Sequence, residues 1–441
     1  LTGKLTNTLT HFDKKQLPHY LLSEKISWRI FDNWLRNNHR TFDIVGVWSR
    51  PIFCGGWKES GSMDTLAFNI QSPSLFIDMR FPVSRDSFLN TCGVTSTSTR
   101  LIPQCLQECS DEELIILSRQ HCFSGYSYPE IFGRAKELEL GLGLNNRSTT
   151  STSGSRSRSV SMDLLDEENY YKYGPVYTRH HIIDWNFHPS FPRPRPNQWW
   201  VELSEDKQSF KEHCVARNPD TNLPVYFERW QRYPGNNINS KYLVLRKILP
   251  CPLHQHATDS NSDERDSVLI IVGNWFGYVR NRRSDPFPSF PGAAGPGGPA
   301  LVDYAIQQSK LTSAAKPNNS SGNNNGEFNT KEQWRSVAEE YLDIIGCYGE
   351  VNSTTSSSGS GDFVITKCTH PWLEGTKLVD GIDVRISMGS NPQYTHLISP
   401  ITHFSWKNSD WKVLECSFDE YELKMIFGSS CIIRDNQRSR L

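Results

Sequence analysis

Residues 74–81 read Ser-Leu-Phe-Ile-Asp-Met-Arg-Phe, and this stretch decides the fold class. Apolar side chains occupy every second position from Leu75 onward, while the other positions mix an aromatic ring with the charged pair Asp78 and Arg80. Alternation with a period of two is the pattern of a β-strand that has one apolar face. If the mixed face lines a barrel, Asp78 and Arg80 are a polar anchor for a bound group. If it faces solvent, they form an ordinary surface ion pair.

The same kind of segment recurs along most of the chain: short, rich in β-branched and aromatic residues, and bounded by Gly, Pro, Asn or Ser. The other predicted strands before residue 283 are Phe42–Ser49, Thr65–Gln71, Phe123–Tyr128, His180–Phe187, Trp199–Leu203, Val225–Tyr233, Lys241–Ile248 and Val268–Arg282. Those after residue 331 are Asp362–Cys368, Val384–Met388, Thr402–Trp406, Trp411–Phe418 and Glu422–Phe427. So many short strands favour closed or nearly closed antiparallel barrels, which protect their strand edges and can hold a ligand inside.

Two segments have the pattern of helices instead. Ser110-Asp-Glu-Glu113 is a capping box, which predicts a short helix at about 111–120. In Lys331–Ile345 the apolar residues recur at steps of three and one, which predicts an amphipathic helix that packs on a sheet. The sequence therefore predicts a mainly β protein with a few short helices.

Composition divides the chain into two β-barrel domains interrupted by polar insertions. Of 441 residues, 37% are hydrophobic, which is less than the ~45–50% typical of a compact domain. We expect the polar stretches responsible for this deficit to be disordered insertions: 145–161, 256–266, 284–300, 312–330 and 353–361, with all of 284–330 assigned to one insertion. Residues 40–233 are then the first barrel and residues 234–427 a second, smaller one. An N-terminal extension at 1–39 and a C-terminal tail at 428–441 flank them.

Charge and cysteine content restrict the partners and the compartment. The 47 basic and 48 acidic side chains leave a net charge of −1, which excludes general electrostatic capture of nucleic acid. The eleven cysteines follow no disulfide framework, and no apolar run opens the sequence as a signal peptide would. The longest apolar run, Val268–Val272, is far shorter than the ~20 residues of a membrane span. We therefore expect a cytoplasmic protein with no integral membrane segment.

Three histidines and an aspartate crowd the segment Arg179–Pro189. A metal site is disfavoured there, because His180, Asp184 and His188 share a strand face but are spaced about 13 Å for every four residues. One ion with ~2 Å bonds cannot bridge them. We expect His180 or Asp184 to line a pocket, with ordinary cross-strand hydrogen bonding as the alternative.

A second group of possible metal ligands surrounds the first predicted helix. Cys105, Cys109, His121 and Cys122 supply four nitrogen and sulfur atoms, but two of them are adjacent in sequence, which strains a shared coordination sphere. Buried or idle thiols are the favoured interpretation. We therefore expect neither a metal site nor a cofactor.

Two segments interleave aromatic and charged residues, Tyr226–Trp230 and Val272–Arg283. Aromatic and arginine side chains in this pattern can stack on both sides of a flat organic ligand. Alternatively, the two segments can be the strands that close a barrel, with their charged ends exposed to solvent. The candidate site residues within them are Glu228, Arg229, Trp230, Trp275, Tyr278 and Arg280. No phosphate-binding loop, dinucleotide fingerprint, nucleophile elbow or metalloprotease motif occurs in the sequence, which disfavours the corresponding enzyme classes.

The first polar stretch contains a candidate modification site. Residues 156–161 read Arg-Ser-Arg-Ser-Val-Ser, which places an arginine three positions before both Ser159 and Ser161. Kinases that prefer basic residues select such serines, and a phosphate there could dock the loop on an arginine cluster. An unmodified loop is the alternative.

An ordered set of segments resembles a known group of proteins. The segments that resemble a bacterial lipocalin-like family are 46–50, 69–82, 119–125, 227–230 and 271–280. The last two of these, with 347–351 and 411–415, are also similar to the fungal casein-kinase-interacting protein family. The resemblance implies a calycin-like double barrel, that is, two lipocalin-like barrels in one chain, and a protein kinase as a possible partner. Because this chain reads Arg179-His180-His181 where bacterial relatives have Trp-His-Arg, no role is inherited by His181.

These observations support three hypotheses of different classes. The leading one is a binding protein whose larger barrel holds a small, flat or hydrophobic, acidic ligand; Arg80 or Arg280 pairs with the acid, and aromatic side chains form the walls. The predicted walls are Trp230, Trp275 and Tyr278. The second is an enzyme in the same cavity, with His180 or His181 as general base oriented by Asp184 or Glu228. The third is a scaffold with filled barrels, regulated through the phosphorylatable loop.

Overall fold

The protein combines a closed β-barrel with a second, larger sheet. The computed structural model describes residues 44–55, 64–86, 103–130, 176–189, 193, 196–216, 224–247, 265–283, 298–314, 330–352, 362–378, 385–388, 401–406, 409–427 and 432–435. The predicted N-terminal extension at 1–39 and the predicted insertions at 145–161 and 353–361 lie outside these ranges. So does nearly all of the insertion predicted at 256–266.

Eight antiparallel strands in sequence order form the barrel. They are β1 Gly46–Gly55, β2 Thr65–Gln71, β3 Leu75–Pro82, β4 His121–Glu130, β5 Val176–Asp184, β6 Asn197–Leu203, β7 Ser209–Cys214 and β8 Tyr226–Arg232. The first and last strands pair with each other and close the cylinder, with Trp48 opposite Arg232. The predicted first barrel is therefore present, and it includes β7, a strand the sequence analysis did not identify.

The second unit is a nine-stranded sheet, and the predicted second barrel is not confirmed. Its strands are β9 Tyr242–Lys247, β10 Ser267–Val272, β11 Trp275–Arg280, β12 Ile345–Asn352, β13 Asp362–Cys368, β14 Arg385–Met388, β15 Ile401–Trp406, β16 Ser409–Cys416 and β17 Ile432–Asp435. They are ordered β13-β12-β11-β10-β9-β16-β15-β14-β17, so that β13 and β17 stand at opposite ends of the part of the sheet that the structure describes. Only the β14–β17 pair is parallel among the described pairs. Strand β17 lies within the predicted C-terminal tail.

Both faces of this sheet are covered, which explains why β10 reads as a continuous apolar run. All six β10 residues are buried. Val268, Ile270 and Val272 belong to the core that the sheet shares with the barrel. Leu269 and Ile271 point into a separate core on the far face.

The α-helices of eight or more residues in the described ranges are α1 Asp111–Ser118, α2 Gly298–Ala314, α3 Lys331–Leu342 and α4 Glu420–Phe427. The capping box that predicted α1 is formed, with Ser110 and Glu113 exchanging their two hydrogen bonds. Helix α3 is present as predicted but ends three residues early, because Ile345 begins β12.

Three secondary-structure predictions were wrong. Helix α2 lies inside the insertion predicted at 284–330; its buried Val302, Ala305 and Ile306 have helical spacing but are surrounded by Gly, Pro and Asn. Residues 422–427 are part of α4 rather than a strand, since Leu423 and Phe427 are buried one helical turn apart. The single strand predicted at 268–282 is a hairpin of β10 and β11, which turns at Gly273 and Asn274.

The barrel packs directly against the sheet through the outer face of β3. Leu75, Ile77, Met79 and Phe81, the predicted apolar face, belong to the same core as β10. The backbones approach so closely that a Cβ added to Gly346 of β12 would collide with Cys122 Sγ of β4. The two units therefore share a core at this contact, in addition to the cores on the far face of the sheet and inside the barrel.

Two buried arginines fasten the barrel to its neighbours. Arg282, which follows β11, donates to the carbonyl oxygens of Asp184 (3.1 Å), Trp185 (2.6 Å) and Phe187 (3.1 Å) at the end of β5. Arg85, which follows β3, donates to the carbonyl oxygen of Cys368 in β13 at 2.6 Å. Each guanidinium is 0–1% exposed, and its charge is satisfied by these acceptors.

Candidate functional site

The interior of the barrel is lined by charged side chains that meet across it. Arg80 of β3 and Glu228 of β8 belong to strands that are not neighbours, yet Nη1 of Arg80 lies 3.1 Å from Oε1 of Glu228. The alternation of β3 therefore places its mixed face in the lumen and its apolar face outside. Of the two predicted environments for Asp78 and Arg80, the structure has the barrel interior.

The first lumen cluster consists of two arginines and two carboxylates. Arg80 donates to both oxygens of Asp78, at 3.1 and 2.9 Å, and to both oxygens of Glu228, at 3.1 and 3.3 Å. Arg50 of β1 adds a 3.0 Å contact to Glu228. Burial alone would raise the pKa of Asp78, but the charge and hydrogen bonds of Arg80 outweigh it and hold that pKa below its ordinary value. Asp78 is thus held as an anion.

The second lumen pair, Arg179 of β5 and Glu212 of β7, is less completely bonded. Their closest atoms, Nη2 and Oε1, are 2.6 Å apart, and the two side chains are 5% and 2% exposed. Glu212 lies directly opposite Glu228 in the β7–β8 register. Burial, with the nearby negative charges of Glu228 and Asp78, raises the pKa of Glu212 to about 7. Arg179 Nε and Glu212 Oε2 have no hydrogen-bond partner among the described residues.

Further polar atoms in the lumen are buried without a hydrogen bond to any described residue. They are Asn69 Nδ2 and Oδ1, Gln71 Oε1, Ser127 Oγ, Trp199 Nε1 and Trp230 Nε1. A buried polar group without a hydrogen bond costs about 1–3 kcal/mol of stability. A group of such atoms in one place therefore has no explanation in the stability of the fold. The lumen can therefore donate to and accept from a polar molecule placed inside it.

Aromatic rings form the walls around these polar groups. His181 packs against Phe76 and Phe123, with centroid distances of 5.6 and 5.1 Å. At one end Trp48, Phe210 and Trp230 are 0–2% exposed and close the barrel. At the other end Phe53, Trp199 and Tyr226 are half-buried. Tyr226 contacts the other two rings at 5.5 and 5.4 Å. The half-buried set marks the open end.

One of the two predicted general-base histidines has the expected carboxylate partner. Nδ1 of His181 lies 2.8 Å from Oδ2 of Asp184. Burial disfavours the charge on Asp184, but His181 and Arg193, whose Nε donates at 2.7 Å, lower its pKa to about 2. Burial also lowers the pKa of His181, so the ring is neutral at pH 7. His180 lies on the opposite face of β5, outside the lumen, and burial lowers its pKa to about 4.

The structure separates the remaining predicted site residues from the lumen. Arg229 is exposed on the outer face of β8. Trp275 packs between barrel and sheet, 4.7 Å from the ring of Tyr233. Tyr278 lies on the far face of the sheet, and Arg280 pairs with Asp343 at 3.2 Å. These three side chains belong to β11, a strand of the second sheet, and so cannot line the barrel. Ser159 and Ser161 lie outside the described residues.

Several lumen residues were missed by the sequence analysis. Arg50, Asn69, Arg179 and Glu212 are the important ones. Glu212 had a usable signal, because Phe210, Glu212 and Cys214 alternate with polar neighbours as a half-buried strand does. Arg179 stands two residues before His181 and therefore on the same strand face.

Neither a group of metal-binding side chains nor a membrane-spanning helix occurs in the part of the chain that the structure describes. No three His, Cys, Asp or Glu side chains there are grouped closely enough to hold a metal ion. Cys122, one of the four possible metal ligands around the first predicted helix, is buried where the barrel meets the sheet. Within the same residues, no helix has the length and apolar character required to cross a bilayer.

Comparisons with known proteins add little to this geometry. No family model matches the chain, and no curated protein matches it significantly. The crystal structure of YLR301w, an uncharacterized protein of Saccharomyces cerevisiae, aligns with 84% of this chain and 98% of its own at 8% identity, with a TM-score of 0.34. That similarity is too low to support a conclusion about fold or function, and the lipocalin-like resemblance stays a prediction.

Proposed function

We propose that the barrel is a binding site for a small organic molecule that has a flat or apolar body and an acidic group. The observation that carries this proposal is the lining of the lumen: three arginines, three carboxyl groups and several hydrogen-bonding atoms that no described residue satisfies. Aromatic rings on both sides of the charges suit a planar body. Cytoplasmic location and a kinase partner stay predictions from the sequence.

Stability alone gives no reason for such an interior. Replacing a buried ion pair by packed hydrophobic residues is often neutral or stabilising, and small eight-stranded barrels are commonly filled by side chains. The apolar plug of Trp48, Phe210 and Trp230 shows that this barrel can fill one end in that way. The charged middle is therefore the part that we assign to a ligand.

Binding is tested first by native mass spectrometry of the full chain purified from its own source, which should show a co-purifying small molecule. Titration with the neutral fluorophore N-phenyl-1-naphthylamine should then show one site per chain. Trp199→Leu at the open end should weaken that site about 2–10-fold, the range expected for one aromatic contact. Trp372→Leu, which alters a half-buried indole stacked on His370 after β13 and outside the lumen, is the matched control. Absence of both a bound molecule and a dye site would refute the proposal.

Acid–base catalysis on the bound molecule is a second candidate, favoured by the 2.8 Å hydrogen bond between His181 and Asp184 inside the lumen. A carboxylate that fixes the ring makes Nε2 the proton acceptor, and a substrate would have to replace the 3.5 Å contact of Nε2 with Asn197 Nδ2. If a ligand is found, turnover by the wild type should fall at least about 100-fold in His181→Ala and be retained in His180→Ala, whose ring lies outside the lumen. A ligand that stays unchanged after long incubation with the wild type removes this candidate.

A further inference from the structure

We propose that Arg179 and Glu212, and not Arg80, hold the anionic group of the ligand, with Glu212 in its neutral acid form as a hydrogen-bond donor to that group. This inference rests on the proposed function and names the position and ionic character of the binding site within the lumen. The predicted anchor was Arg80, which the structure also places in the lumen. The difference lies in how many donors each arginine has to spare.

Four of the five N–H donors of Arg80 are already used. Its Nε and Nη2 bond to the two oxygens of Asp78, and its Nη1 and Nη2 bond to the two oxygens of Glu228. A ligand anion that accepted two hydrogen bonds from Arg80 would therefore have to displace Asp78 or weaken the bonding of Glu228. Either change leaves a buried carboxylate less compensated, which a single new contact does not repay.

Arg179 and Glu212 have such capacity. Nε of Arg179 and Oε2 of Glu212 are both buried and both lack a hydrogen-bond partner in the described chain. Ser127 lies opposite Arg179 in the β4–β5 register, and its Oγ is likewise without a partner there. An anion accepts hydrogen bonds only, so it needs donors: Arg179 Nε supplies one, Ser127 a second, and Glu212 a third when it carries a proton.

The charges around Glu212 favour that protonated form once an anion is bound. Glu228 faces it from β8, Arg179 from β5, and Asp78 and Arg80 from β3. On β6 its neighbour in register is Val201, which is uncharged. With Arg50 included, three guanidinium groups face three carboxyl groups in this cluster, so the cluster around Glu212 is neutral when fully ionised. An incoming anion would make it negative, and uptake of one proton from solvent onto Glu212 restores neutrality.

The proposal requires only a proton transfer. The proton moves from solvent to Glu212, no covalent bond of the ligand forms or breaks, and the proton returns to solvent on release. The pKa of about 7 that burial and Glu228 give Glu212 places this exchange near neutral pH. Binding of an anion should therefore weaken as the pH rises, while binding of an uncharged analogue should not change.

Two fluorophores with the same aromatic body separate these cases on the full-length chain. 8-Anilinonaphthalene-1-sulfonate carries a sulfonate that stays ionised throughout the titration, and N-phenyl-1-naphthylamine lacks it. If the anion binds only the protonated form, a Glu212 pKa of about 7 raises its apparent Kd about 30-fold between about pH 6 and about pH 8.5. The Kd of the neutral dye should stay constant.

Variants assign the effect to the residue. Glu212→Gln keeps a neutral donor at the same position, so it should bind the sulfonate at high pH as tightly as the wild type does at low pH, with a flat pH profile. Glu202→Gln on the outer face of β6 is the matched control and should keep the wild-type profile. Arg179→Met should weaken the sulfonate selectively and leave the neutral dye unaffected.

The outcomes distinguish this inference from the proposed function. If both dyes bind at one site but the sulfonate shows no pH dependence, or shows the same dependence in Glu212→Gln, this inference is wrong and the binding function stands. If neither dye binds, the proposed function itself fails. Since the decisive titration uses the wild-type chain, poor folding of a variant does not leave the question open.

Discussion

The barrel and the sheet solve the problem of burial in opposite ways. In β3 the lumen face buries Asp78 beside Arg80, whereas β10 buries only Ser267 and five apolar side chains. The sheet is covered on both faces, so every position of its central strand is a core position. The barrel has an outer face that forms a core with the sheet and an inner face that combines an apolar plug at one end with charged side chains in the middle.

This contrast indicates which region is specialised for stability and which for binding. The far face of the sheet gathers Leu269, Ile271, Phe276 and Phe363, all at most 1% exposed. Such a core gains stability in proportion to its buried apolar area. The lumen instead buries charges whose desolvation is costly unless they stay paired. Substitutions in the two regions should therefore differ in size and in pH dependence.

The largest effect is expected from Arg80→Met. The substitution removes the partner of Asp78 and most of the bonding of Glu228, which leaves buried carboxylates uncompensated. We expect the free energy of unfolding in urea to fall by about 3–5 kcal/mol. Arg229 is next to Glu228 in β8, but its side chain is exposed on the outer face of the barrel. Arg229→Met should therefore change the free energy of unfolding by less than about 0.5 kcal/mol. Equal effects of the two variants would contradict the assignment of the lumen.

Leu269→Ala tests the sheet. Leu269 is 1% exposed, and truncation leaves a cavity in the far-face core, so we expect a loss of about 2–5 kcal/mol. Because no titrating group is involved, the loss should be the same at pH 5 and pH 8. Urea unfolding at both values measures it. A loss of stability that varied with pH would contradict the expectation that only the barrel lumen, and not the sheet, gives the stability a pH dependence.

Gly346→Ala tests the contact between the regions. The added methyl group would collide with Cys122 Sγ, so strands β4 and β12 have to move apart. We expect a loss of about 1–3 kcal/mol, typical of overpacking. Differential scanning calorimetry should still show a single transition, because the shared core unfolds as one. Gly235→Ala, at a glycine whose added Cβ meets nothing within 4 Å but whose φ is 79°, gives the cost of backbone strain alone.

The last expected effect is a pH dependence that comes from the barrel and is spread over several pH units. Folding raises the pKa of Glu212 from 4.5 to about 7, so the folded chain holds this proton more tightly than the unfolded chain does. Stability should therefore fall as the pH rises through that window, by at most about 1.4 kcal/mol per pH unit. Glu212→Gln should remove this slope. Glu415, whose pKa burial raises to about 8, contributes to both proteins alike and cancels in the comparison.

The sequence was most informative where a pattern depends on neighbours along the chain. The alternation of residues 74–81 separated the face of Asp78 and Arg80 from the apolar face, and the capping box located α1. The sequence did not predict the features that depend on which strands pair with each other. Trp275 lies in an aromatic and charged segment of the kind expected to line a barrel, but its strand β11 pairs with β10 and β12. The local sequence does not indicate this pairing. For the same reason the meeting of Arg80 with Glu228, 148 residues apart, could not be foreseen.

The shared core has a consequence for the history of such a chain. The outer side chains of β3, from Leu75 to Phe81, are covered by the sheet, and Arg282 ties the end of β5 to the far side of that contact. A gene fragment encoding the barrel alone would produce a protein whose outer apolar face at β3 is exposed to solvent. It would also lack the hydrogen bonds that Arg282 donates to the end of β5. The barrel and the sheet therefore have to be inherited together.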